Sequence, residues 1–218
     1  NAYITWAIAM AGLAEGFTAE IKTQLTLAQN TQDPYLLALA ANTLRALPPH
    51  QAAANAAVER LAKMQKKTGA WHGAKHSITR STGKNLNVET TALALMALLG
   101  GDAHMGKVQK GVQWLNTQRS GHGRYGATQA TILALKALTE YAQKTRVTKA
   151  PVTLELYIDG RQVSSSTYAP GRKEPMLLQG FGDALTPGRH RIELRQKGAK
   201  SLPYAMALSY RSAEPASH

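Results

Sequence analysis

The 218-residue chain has no cysteine. That excludes disulfides, thiolate metal sites and a cysteine nucleophile, and it leaves the redox compartment open. Long apolar runs are missing too: none approaches the ~18 residues that a bilayer span requires. Acidic side chains are scarce, 13 Asp and Glu against 26 Lys and Arg, so the formal net charge is +13. Aromatic residues make up only 6% of the chain. No recognition helix and no RNP-like aromatic pattern accompanies the basic charge, which argues against nucleic acid as a partner.

What is present is enough for a core. The chain is 44% hydrophobic and 18% charged, as in a globular protein of one or two domains. Residues 1–14 lack a basic leader region and an initiator Met. They read as a helix cut from a longer chain and not as a signal peptide. The charge is uneven. Residues 1–65 are neutral, whereas residues 66–86 carry Lys66, Lys67, Lys75, Arg80 and Lys84 with no acid. Such a surface attracts anionic polymers, anionic lipid or an acidic partner; its plainest reading is a solvated surface.

Hydrophobic periodicity predicts helices of two kinds in alternation. Segments beginning near 2, 35, 88 and 127 are apolar on most faces and are expected to be buried nearly all round. Segments beginning near 17, 51 and 106 carry one apolar stripe, as with Phe17, Ile21, Leu25 and Ala28. Leu95, Leu98, Ile132, Leu135 and Leu138 are expected in the core, with Lys63, Lys107 and Lys110 in water. Asp33-Pro34, Asn87 and Thr128 are read as helix starts, with Glu89 in the first turn of its helix, where the dipole favours a carboxylate. Gln129 is placed to reach a backbone group of the preceding turn. Gly121, Gly123 and Gly126 punctuate that turn, where chain reversal calls for positive φ. Repeating helical hairpins with one fully apolar member fit an inner ring enclosed by an outer one, an α/α toroid, better than an open solenoid.

After residue 146 the period becomes two. Val152, Leu154 and Leu156 alternate with polar residues up to an Asp159-Gly160 hairpin turn. Further strands are expected over 163–168, 175–181, 188–195 and 203–211. The fold class is therefore α + β in two domains: a partial toroid of helical hairpins over 1–146, then a small antiparallel β-domain over 147–218.

Trp114-Leu115-Asn116-Thr117-Gln118-Arg119, followed by Gly123-Arg124-Tyr125-Gly126-Ala127-Thr128-Gln129-Ala130-Thr131, resembles the end of the thioester domain of the alpha-2-macroglobulin and complement family. Asn87-Val88-Glu89-Thr90-Thr91 and the apolar run after it resemble the preceding inner helix of that domain. The β-region stands where that family has a CUB-type domain. The resemblance implies a piece of a broad-range endopeptidase inhibitor, of bacterial origin and periplasmic or extracellular, host-defence-like in role. It would trap target proteases together with the remaining macroglobulin domains of the same protein. It implies no enzyme activity, catalytic residue or cofactor here. The family's Cys-Gly-Glu-Gln thioester has no counterpart in a chain without Cys. Glu89, Trp114, Gly123, Tyr125, Gly126, Thr128 and Gln129 are then residues of a structural motif.

Other constellations weigh less. His72 and His76 have a helical metal spacing, but Gly69 and Gly73 speak against a helix there, so no metal site is expected. Glu89 as a general base, with Trp114 and Tyr125 lining a cavity, would suit a terpenoid-cyclase-type toroid enzyme, the alternative reading. That chemistry calls for clustered aspartates, and the four Asp are scattered. Ser164-Ser165-Ser166 carries no nucleophile motif. A third reading is a basic module for anionic polymers.

Overall fold

In the computed structural model, all residues are described except 1, 74, 121–122, 146–149, 172–173, 175, 180, 199–203, 205 and 208–218. The chain divides into two units, 1–141 and 142–218.

Local chemistry sets the helix starts of the first unit. Asp33 Oδ1 accepts from the Tyr35 N–H at 3.0 Å and Pro34 occupies the first turn, so α3 (Pro34–Arg45) begins as the sequence predicts. The other helices are α1 (Ala2–Met10), α2 (Thr18–Asn30), α4 (Gln51–Lys63), α5 (Gly83–Leu98), α6 (Met105–Gln118) and α7 (Thr128–Thr145). Helix α3 packs against α1, α2, α4 and α5. Every residue of α5 from Val88 onward is buried, as are ten of α3. A Leu moved from water into this core contributes roughly 1.5–3 kcal/mol.

Helices surrounded by apolar neighbours still have polar needs, and two side chains meet them. Asn42 Nδ2 donates to the carbonyls of Ala38 at 2.8 Å and Leu93 at 2.9 Å. Arg45 Nη1 donates to Met96 O at 2.6 Å and Ala97 O at 3.3 Å, carbonyls in the last turn of α5. Burial lowers the Arg45 pKa from its usual value, and the Glu140 charge partly offsets this. The step from 42 to 45 on α3 matches the step from 93 to 96 on α5, so the two helices run parallel.

The connection from Met64 to Thr82 is held by Trp71, which is 0% exposed. Its Nε1 donates to Leu61 O at 2.7 Å, and its backbone N–H donates to Thr91 Oγ1 at 3.0 Å. His72 and His76 are exposed.

Several expectations are corrected. Helix α7 is not buried all round: Ile132 is 54% and Leu135 50% exposed, and Leu138 is half-buried. Ala130, Leu133, Ala134, Ala137 and Tyr141 are buried in the core, and Leu138 packs against it. Helix α1 buries one face, leaving Ile4 and Met10 exposed. Lys63 and Lys110 are exposed, while Lys107 is half-buried. Helix α5 starts at Gly83, so Asn87 is not its cap and Glu89 lies in its second turn.

The second unit has a three-stranded antiparallel sheet in the order β2-β1-β3, from β1 (Val152–Ile158), β2 (Arg161–Tyr168) and β3 (Ile192–Lys197). Asp159 (φ 50°) and Gly160 (φ 83°) make the β1–β2 turn, the double positive φ that a two-residue hairpin favours. Val152, Leu154 and Tyr168 form a small core with Met176 and Leu178. Residues 176–179 are not a strand, although one was expected over 175–181; the strand expected over 203–211 falls almost wholly outside the described residues.

Candidate functional site

The 114–131 junction is built from the end of α6 upward. Trp114 is half-buried, and its carbonyl accepts from Thr117 Oγ1 at 2.7 Å. Beyond Arg119 the chain reverses: Ser120 N–H donates to Arg124 O at 2.8 Å, and Gly123 N–H donates to Ser120 O at 2.9 Å. Gly123 has φ 78°. Gly121 and His122 lie outside the described residues.

Tyr125 is 3% exposed, and its backbone N–H donates to Thr131 Oγ1 at 3.1 Å. Burial raises the pKa of its phenol, with the Arg119 charge pulling the other way. Gly126 has φ 104° and lies against Asn85 Oδ1, so a Cβ there would collide with that oxygen. The same oxygen accepts from the Ala127 N–H at 3.1 Å. Asn85, in the first turn of α5, thus fixes the entry of α7.

Thr128 is exposed and is the first residue of α7. The threonine hydroxyl that ties the turn belongs to Thr131, one helical turn further on. Gln129 reaches across to α1 and not to the turn: its Nε2 donates to Tyr3 Oη at 2.6 Å. Two turns further along α7 and one along α1, the Lys136 ammonium stands 5.2 Å from the centre of the Trp6 ring, a cation–π contact.

Glu89 sits apart from the junction. It is 0% exposed, and neither carboxylate oxygen has a hydrogen-bond partner. Its charge acts on Tyr35 of α3, whose pKa rises to about 12, first through burial and only secondarily through Glu89. The Ile78 N–H donates to the Tyr35 hydroxyl at 3.4 Å.

The structure therefore joins Gly123, Tyr125 and Gly126 in one turn and keeps Glu89 in the core. It adds Asn85, Thr131 and Tyr3, which sequence reasoning missed. Asn85 was readable as one of two asparagines before the apolar run, but Asn87 drew the cap assignment. The polar groups of the junction satisfy one another, which suits the placing of a helix. Among the described residues no group of three His, Asp or Glu is arranged to hold a metal ion.

The family model described as the A-macroglobulin TED domain matches residues 3–141, which spans all of α3 to α6, the whole junction and most of α7. The chain belongs to the A-macroglobulin TED domain family.

Proposed function

We propose that the chain serves as part of an alpha-2-macroglobulin-like inhibitor that traps endopeptidases by steric enclosure, its helices belonging to an α/α toroid. The observation that carries this reading is the junction locked by Asn85, Gly126 and Thr131, lying within the region matched by the family. The parallel course of α3 and α5, with α4 packed on both, supports inner and outer layers of a toroid. Without Cys these residues supply no thioester, so covalent coupling would depend on sequence elsewhere in the protein. No enzyme activity is assigned to the chain. Target proteases and other macroglobulin domains are its partners, and the compartment is extracellular or periplasmic. No helix among the described residues is long and apolar enough to cross a membrane.

Enclosure has a signature. A trapped protease keeps its activity toward small chromogenic peptides and loses it toward proteins, because only the larger substrate is excluded. The test assays trypsin with both substrates, against the intact inhibitor and against residues 1–218 alone. Selective loss of proteolysis is expected with the intact protein, and no effect with the isolated chain. Stoichiometric inhibition by residues 1–218, or equal loss of both activities with the intact protein, contradicts the reading.

A further inference from the structure

We infer that the lysine-bearing face formed by the end of α4, the 64–69 turn and the first half of α6 docks an anionic polysaccharide. These segments are held together. Gln65 Nε2 donates to Gly69 O and to Lys107 O, each at 2.9 Å. Gly69, with φ 97°, lies so close to the Lys110 carbonyl that a Cβ would not fit. The turn thereby brings Lys66 and Lys67 beside Lys107 and Lys110, with Lys63 at the end of α4. Gln65, His104, Lys107 and Lys110 line a surface cleft of about 300 Å³.

The face has no neutralising acids of its own. Its neighbour Glu59 is paired to His104 Nε2 at 2.8 Å, and Asp102 is already engaged. None of the five lysines has a carboxylate within ion-pairing distance among the described residues. From Arg60 to Lys136 the sequence has twelve basic residues and only two acids, the exposed Asp102 and the buried Glu89. Unopposed like charges repel, and a polyanion relieves that repulsion while releasing its own counterions.

The residue types select the partner. A protein interface centres on an apolar patch, and none of the exposed large hydrophobic side chains belongs to this face. Single-stranded nucleic acid calls for exposed aromatic rings, and the one aromatic residue of the adjoining loop, Trp71, is buried. The five cations are all lysine, a hydrated point charge without the planar fork of arginine. That set suits sulfate or carboxylate groups spaced along a flexible chain.

The test measures heparin binding to the intact 218-residue chain by calorimetry at about 50 mM salt and upward. The Lys66→Gln/Lys107→Gln variant is expected to bind about tenfold more weakly, with the slope of log K against log salt falling by about two. Lys22→Gln/Arg124→Gln, an equal loss of charge on other elements of the same unit, is expected to change affinity less than about twofold. Circular dichroism confirms that each variant keeps its helix content. The inference is overturned if heparin does not bind, or if both double variants weaken binding equally. Tighter binding of poly-glutamate or duplex DNA than of heparin also overturns it, by assigning the face to another class of partner.

Discussion

Replacing Gly126 with valine tests the junction most directly. With φ at 104°, a branched side chain is held in a backbone region that costs about 1–3 kcal/mol. The new Cβ also meets Asn85 Oδ1, which must move away and release the Ala127 N–H. Losing that bond adds about 0.5–1.5 kcal/mol. The two effects together give about 2–4 kcal/mol. At roughly 2–4 °C per kcal/mol, melting followed by circular dichroism should fall by about 5–15 °C. Asn85→Ala isolates the second effect and should cost about 1 kcal/mol. The double variant should lose less than the sum, because the collision partner is gone. Thr131→Ala should cost about 0.5–1.5 kcal/mol, whereas Thr128→Ala, at an exposed position, should stay within about 0.5. An unchanged melting temperature for Gly126→Val, or a larger loss for Thr128→Ala than for Thr131→Ala, refutes the reasoning. It would instead favour a ligand-binding role for Tyr125, Thr128 and Gln129.

Two glycines of α6 should respond to alanine with opposite sign in chemical denaturation. Gly106 has open space and should gain about 0.5–1 kcal/mol, while Gly111→Ala drives into Leu95 and the Trp71 ring and should lose about 1–3. Trp71→Phe removes the indole donor to the Leu61 carbonyl, which keeps the Met64 N–H, and should cost about 0.5–1.5 kcal/mol in the same assay. In the second unit, His190 Nδ1 meets Asp159 Oδ2 at 2.7 Å, which raises the histidine pKa above 6.5; the Arg191 N–H at 2.8 Å first, and His190 second, lower the aspartate below 3.8. The histidine contribution is complete below pH 6.5 and fades as pH rises through its folded value. The aspartate contribution is complete above 3.8 and fades as pH falls through its folded value. The tie is therefore strongest between these limits, and Asp159→Asn should lower the His190 midpoint in an NMR titration.

Much of the helical layout was legible, because apolar residues at every position of 92–99 have no other stable place than a core. The same argument failed at Ile132 and Leu135, since burial needs neighbours and periodicity says nothing about whether they are there. Asn85 was missed because its role depends on a turn some forty residues later, a non-local contact that leaves no local pattern. Glu89 was read as a terminal charge because Asn87 was taken as the cap of its helix. The helix instead starts at Gly83, about one turn earlier, which carries the carboxylate inward. Alternation located β1 and β2 and the Asp159-Gly160 turn between them. It overcounted at 175–181, where apolar Met176 and Leu178 pack on the sheet without joining it.

Two helices coated in Leu and Ala could slide past each other by a turn with little change in buried area. Such near-degenerate arrangements roughen a folding landscape. Asn42 and Arg45 remove the degeneracy between α3 and α5. Sliding by one turn, about 5.4 Å, would pull the buried Asn42 amide from Leu93 O and the half-buried Arg45 guanidinium from Met96 O and Ala97 O. The penalty falls on every misaligned arrangement and spares the native one. In this pair of helices hydrophobic burial supplies the drive to collapse, while one amide and one guanidinium decide which collapsed state is kept.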